Sequence, residues 1–413
     1  MNRRDFLKSS FFSAGTLAIS SVGGGVLLSA CKGEEKTTPV KVEGMQYRRL
    51  GRTGIDVSVI ALGCEGYTKK SPEQVKAEFD HAIERGVNFI DMYSPNPDLR
   101  DKVGAALKGR RNQFVIQGHI GSVWEKDQYL RTRDVEKCKV AFEDQLKRLQ
   151  TNYIDVGMIH FVDEQEDFDT VFKGELIELV KQYKKEKKIR SIGISTHSVD
   201  IAQQAAETGL IDVIMFSLNP GYDMVIEDGK ITGVDPKRKA LYEYCAKEDI
   251  AIDVMKAFGG GNMVDEKNSP FGKAFTPVQC IEYALTRPAV ASVMCGAHTE
   301  EELDADLAYC GATQEEKDFM AVLAGVSSLD WKGNCMYCTH CLPCPQKISI
   351  ADVNKYLNLA KAQGEVPETV QDHYNLLSAH GSDCNNCGQC EPRCPFDVKI
   401  MDNMREATRV FGI

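Results

Sequence analysis

Between residues 57 and 309 the chain alternates short apolar, largely β-branched runs with longer segments of helical period, and the alternation repeats eight times. Strands are predicted at Val57–Gly63, Asn88–Tyr93, Gln113–His119, Tyr153–His160, Ile189–Ser195, Ile211–Ser217, Ile250–Lys256 and Val290–Cys295. Helices are predicted at Pro72–Arg85, Asp98–Lys108, Arg133–Gln150, Val171–Lys187, Ser198–Thr208, Pro236–Glu248, Thr276–Arg287 and Thr299–Tyr309. Near-continuous apolar runs are what strands buried on both faces of a parallel sheet require. Eight such units over about 260 residues predict an α/β fold, a (β/α)8 barrel. A doubly wound sheet is the alternative, but no Gly-x-Gly-x-x-Gly follows the first strand. The segments Tyr47–Leu50 and Ile55–Ser58, joined through Gly51-Arg52-Thr53-Gly54, are expected to form a hairpin closing the barrel bottom.

Beyond Tyr309 the pattern changes. Helices are expected at Gln314–Val326, Ile350–Ala362, Pro367–Ala379 and Met401–Val410, with two cysteine runs between them. Cys335, Cys338, Cys341 and Cys344 precede Pro345, and Cys384, Cys387, Cys390 and Cys394 precede Pro395. A tight C-x2-C-x2-C loop lets three thiolates reach one [4Fe–4S] cube, and the fourth cysteine before a proline commonly serves the other cube. One cluster is therefore assigned to Cys335, Cys338, Cys341 and Cys394, the other to Cys384, Cys387, Cys390 and Cys344. Structural zinc sites usually pair separated C-x2-C knuckles, a pattern these runs fit poorly. The expected organisation is a signal at 1–31, a linker at 32–44, the barrel at 45–313 and a small helical ferredoxin-like, two-cluster domain at 314–413.

The N-terminus carries Arg3-Arg4 followed by Phe6-Leu7-Lys8, which resembles the signal of the twin-arginine (Tat) export system. Leu28-Ser29-Ala30-Cys31 resembles a lipobox, in which Cys31 would be lipidated. The expectation is export to the periplasm or cell envelope, with membrane attachment only through Cys31. A net charge of −10 argues against nucleic acid and against a polybasic membrane patch. The remaining expected partners are a small-molecule substrate and a redox partner.

Barrel enzymes work at the C-terminal ends of their strands. Those ends carry Asp91, His119 and His160 on the second, third and fourth predicted strands, a plausible acid–base set. Cys64, Cys295 and Lys256 also lie at strand ends, and Gly259-Gly260-Gly261 follows the seventh. For the two cysteines, inert packing is the expectation.

In Arg49-Leu50-Gly51-Arg52-Thr53-Gly54, Gly86-Val87-Asn88-Phe89-Ile90-Asp91, Tyr153-Ile154-Asp155, Met158-Ile159-His160, Ile192-Gly193-Ile194-Ser195, Val254-Met255-Lys256 and both cysteine runs, the chain resembles the aldo/keto reductase family, in its branch with a C-terminal ferredoxin-type extension. The resemblance implies a tetrad of Asp, Tyr, Lys and His around a ketone and the nicotinamide of NADPH. Asp91 and His160 match it; the tyrosine falls on Asn96 and the lysine on His119. It further implies cofactor contacts at Ser195, Asn219, Lys256, Gly259 and Gly260. Thr196, Met215 and His298 depart from the positions that hold the nicotinamide and its 2′-phosphate, which weakens the case for NADP(H). The expected activity is interconversion of a hydroxyl and a carbonyl on a small polar, sugar-like substrate, coupled to the clusters. His160 would meet the substrate oxygen, His119 would carry the proton, Asp91 would orient it, and Tyr93 would be a reserve proton donor. An electron-transfer or ligand-binding protein with a degenerate barrel is the other reading.

Overall fold

A computed structural model describes residues 41–413 except 228–229, 298, 324–332, 334, 336–340, 364–365, 367 and 395–396. The Tat-type signal, Cys31, Cys338, His298 and Pro395 therefore lie outside the described residues. Eight parallel strands close into a barrel: β1 (Ile60–Gly63), β2 (Phe89–Met92), β3 (Val115–Ile120), β4 (Ile154–Ile159), β5 (Ile189–Thr196), β6 (Val213–Ser217), β7 (Ala251–Met255) and β8 (Val290–Cys295). Each strand pairs with its sequence neighbours, and β8 returns to β1. Every residue of β2, β3, β4, β6 and β8 is buried, as double-sided burial requires.

The hairpin at the bottom is present, with Tyr47–Arg49 antiparallel to Asp56–Ser58. Leu50 and Val57 are fully buried and join Phe89, Val115, Val156 and Ala251 in the barrel's inner cluster, so the hairpin plugs the floor. Gly51 is required there: it has φ +51°, and a Cβ would stand 2.5 Å from the Asp249 carbonyl oxygen.

Three helix expectations change. The predicted Val171–Lys187 helix is two, Gln165–Phe172 and Glu175–Lys185, because Gly174 between them has an extended backbone (φ −103°, ψ −167°). The predicted Gln314–Val326 helix is a turn over 314–317 followed by Met320–Leu323. The predicted Pro367–Ala379 helix spans Glu368–Asn375. Two hairpins were not foreseen. Met224–Glu227 pairs with Lys230–Val234. Ser122–Glu125 pairs with Gln128–Arg131 directly after β3. The second turns through Lys126 and Asp127, both with positive φ, a type I′ pattern that normally signals itself with Asn or Gly.

The C-terminal module has its own apolar cluster, in which Val353, Leu357, Tyr374, Met404 and Ala407 are buried between the helices Ile350–Gln363, Glu368–Asn375 and Ile400–Phe411. It packs over loops at the C-terminal ends of the barrel strands. Gln128 Oε1 accepts from the Cys344 backbone N–H at 3.3 Å, and Tyr222 packs against the module's core. Among the described residues no helix is long and apolar enough to cross a membrane.

Candidate active site

Strand register places Asp91 level with Gln117, and Gln117 lies two residues before His119 on β3, so all three side chains point into the barrel. His119 and His160 are brought together as the strand ends predicted, their Nδ1 atoms 2.7 Å apart. His119 Nε2 is 3.0 Å from Asp91 Oδ1, and His160 Nε2 is 2.7 Å from the Tyr129 hydroxyl. All four side chains are buried. Burial, then the neighbouring His119, Arg133 and Arg131, holds the His160 imidazole well below its ordinary pKa. It is a neutral ring.

Below this layer Gln117 Nε2 donates to Asp91 Oδ1 at 2.9 Å and to Asp253 Oδ2 at 3.0 Å. Burial, and then the charge of Asp91, pushes the Asp253 carboxyl well above its ordinary range. Tyr93 stacks on His160 with ring planes 2° apart and meets Tyr129 edge-on. It also hydrogen-bonds Glu65, in the short turn after β1. Glu65 is raised by its surroundings first, with Lys256 opposing and Asp352 of the module and Asp91 adding to the rise. Its side chain nonetheless reaches solvent.

Other expected residues have structural partners. Ser195 Oγ accepts from the Phe161 N–H at 2.7 Å. Asn219 accepts from the Gly221 and Tyr222 N–H groups and donates to the Lys256 carbonyl at 2.8 Å, tying the ends of β6 and β7 together. Thr196 donates to Asp163, and Met215 lies beside Gln117. Each of these side chains has a partner within the chain. Gly259, Gly260 and Gly261 all have positive φ, with Gly259 buried and Gly260 exposed. Lys256 also has positive φ and is half-buried. Asn96 caps the helix Pro97–Ala106, accepting from the Leu99 N–H. Cys64 and Cys295 are buried, and burial pushes both thiols well above their usual pKa, which makes them inert. Tyr129, Gln117, Asp253 and Glu65 were not singled out from sequence; Gln117 and Asp253, polar residues inside apolar runs, carried a visible signal.

In the module, Cys344 of the first run lines the same cavity as Cys384, Cys387 and Cys390 of the second. This is the quartet assigned by the crossed pattern, and Ile348 and Met404 complete its apolar wall. Cys335, Cys341 and Cys394 all pack into the module's core, and Cys338 lies outside the described residues. Among the described residues, no three His, Cys, Asp or Glu are placed to hold a single metal ion.

The model of the Aldo/keto reductase family matches residues 59–279. An uncharacterized oxidoreductase of Bacillus subtilis, YqkF, is 28% identical over 299 residues, covering 66% of this chain and 94% of that protein. The aldo-keto reductase YhdN of the same organism is 30% identical over 172 residues, covering 38% of this chain and 48% of that one. Among solved structures, the holo form of aldo-keto reductase AKR11C1 from Bacillus halodurans superposes with a TM-score of 0.56 at 21% identity, covering 69% of this chain and 98% of that one.

Proposed function

The chain belongs to the aldo/keto reductase family and is an oxidoreductase, and from that premise we propose that it interconverts a hydroxyl and a carbonyl on a small polar, sugar-like substrate at the barrel mouth. The observation that carries the reading is the buried hydrogen-bonded set of Asp91, His119, His160 and Tyr129 at the C-terminal ends of the strands. Such a set can move a proton to or from a substrate oxygen. His119 stands at the position where the family resemblance places the lysine, beside the matching Asp91 and His160.

The module would hold two [4Fe–4S] clusters, one on Cys344, Cys384, Cys387 and Cys390, the other on Cys335, Cys338, Cys341 and Cys394. Four thiols lining one cavity support a cluster site there. When bound, such clusters supply one-electron transfer. NADP(H) is not assigned, because Thr196 and Met215 stand where the family resemblance implies other residues at the nicotinamide. The twin arginine and the lipobox-like segment support export by the Tat route, with Cys31 as the first mature residue. A cluster protein suits that route because it must fold before leaving the cytoplasm.

Anaerobically purified protein should contain about eight iron atoms and eight acid-labile sulfides per chain, and a polyol or its carbonyl partner should change the clusters' redox state. Zinc in place of iron removes the clusters from the reading. Iron-loaded protein whose clusters respond to no hydroxyl or carbonyl compound makes the barrel a binding scaffold. Replacing Arg3 and Arg4 together by Lys should hold the protein in the cytoplasm; unchanged location excludes the Tat route.

A further inference from the structure

Both nitrogens of both active-site imidazoles are occupied within the chain. His119 spends Nε2 on Asp91 and Nδ1 on His160, and His160 spends Nε2 on Tyr129. Neither ring keeps a nitrogen for substrate in this arrangement. The end of the series farthest from Asp91 is the phenol hydroxyl of Tyr129, on the hairpin after β3. Resting on the active-site reading above, we propose that Tyr129, His160, His119 and Asp91 form one proton relay, and that Tyr129 is its substrate-side end, replacing the tyrosine that the family places where Asn96 stands.

The order of donors follows from hydrogen-bond chemistry alone. A neutral imidazole donates from one nitrogen and accepts at the other. With Asp91 ionised, His119 must donate from Nε2 and accept at Nδ1. His160 then donates from Nδ1 and accepts at Nε2, so the Tyr129 O–H points at His160. The whole series has one polarity, and it is that of a base. As a substrate hydroxyl gives its proton to Tyr129 oxygen, the Tyr129 proton passes to His160 Nε2. The Nδ1 proton of His160 passes to His119 Nδ1, and the Nε2 proton of His119 passes to Asp91. One O–H bond breaks at the substrate, one forms at Asp91, and every intermediate group ends neutral. With Asp91 protonated the polarity is reversed, and the series delivers a proton to a carbonyl oxygen. The neutral state of His160 suits this role, since a charged ring would have no acceptor nitrogen. Tyr93 does not belong to the series: its stacking on His160 holds that ring's plane, and its hydrogen bond goes to Glu65.

Full-length protein labelled with 15N-histidine tests the relay without a substrate. There are 8 histidines, so His119 and His160 can be assigned from their single substitutions. Tyr129→Phe should move the ring-nitrogen resonances of His160 and, through it, of His119, with iron content unchanged. Unmoved resonances overturn the relay. With a substrate in hand, Tyr129→Phe should lower kcat about 10²–10⁴-fold with little change in KM, whereas Tyr93→Phe should keep more of it. Wild-type kcat in Tyr129→Phe overturns the relay's role. Coupled resonances in a wild-type protein that turns over no hydroxyl or carbonyl compound overturn the active-site reading and leave a structural hydrogen-bond series.

Discussion

The barrel and the C-terminal module bury their cores by different means. The barrel interior is filled by Leu50, Val57, Phe89, Val115, Val156 and other aliphatic or aromatic side chains from a sheet that closes on itself. Its backbone polar groups are paired strand to strand, and its core calls for no ligand. The module's core instead has Cys341 and Cys344 buried beside Val353 and Leu357, with Cys335, Cys384, Cys390 and Cys394 packed against it. A domain of that size with thiols among its apolar side chains has less hydrophobic stabilisation than the barrel, and on the cluster proposal above what the thiols hold makes up part of the difference. The two parts meet where the chemistry is placed: the hairpin that presents Tyr129 to His160 presents Gln128 to the Cys344 backbone.

The comparison breaks most readily at the module. Stripping iron with a chelator under reducing conditions should abolish its protection from protease and leave the barrel resistant, read by peptide mapping. Module and barrel lost together would show that the barrel is not self-sufficient. Next in size is Phe89→Ala, which empties a fully buried site and should cost about 3–5 kcal/mol in denaturant unfolding. Iron content should stay the same; a fall in iron would mean that the barrel's packing also sets the module.

The smallest effect concerns Asp306, on the helix Glu300–Leu307 next to β8. Burial, opposed by a hydrogen bond with Cys295, raises its carboxyl from 3.8 to about 7. A raised carboxyl in the folded state means that the folded chain binds more protons than the unfolded one. Stability is therefore greatest below pH 4 for this group, and it is lost as pH rises toward about 7. Asp306→Asn should leave stability at pH 4 nearly unchanged and raise it at pH 8, by at most roughly 4 kcal/mol. Thermal unfolding at the two pH values checks this. An equal shift at both would locate the effect in packing, and so in the same aliphatic logic as the rest of the barrel.

The eight strands, the floor hairpin, and the carboxylate and two imidazoles at the mouth were determined by the sequence alone. Those features are local: a run buried on both faces reads as continuously apolar, and a strand end is the last residue of such a run. The Cys-Pro spacing implied a crossed pairing of the two cysteine runs, and Cys344 lines one cavity with Cys384, Cys387 and Cys390 of the second run. Tertiary structure alone decided the rest. Tyr129 reaches His160 because a type I′ turn at Lys126-Asp127 folds the segment after β3 back over the mouth, without the Asn-Gly signal that would announce it. Asn96, at a position where the family has a catalytic tyrosine, became a helix cap because its side chain accepts the Leu99 N–H. Gln117 gained meaning only when barrel closure set it between Asp91 and Asp253, residues 26 and 136 positions away in the chain. Spacing along the chain records which faces are buried. Which buried groups touch depends on how the sheet closes.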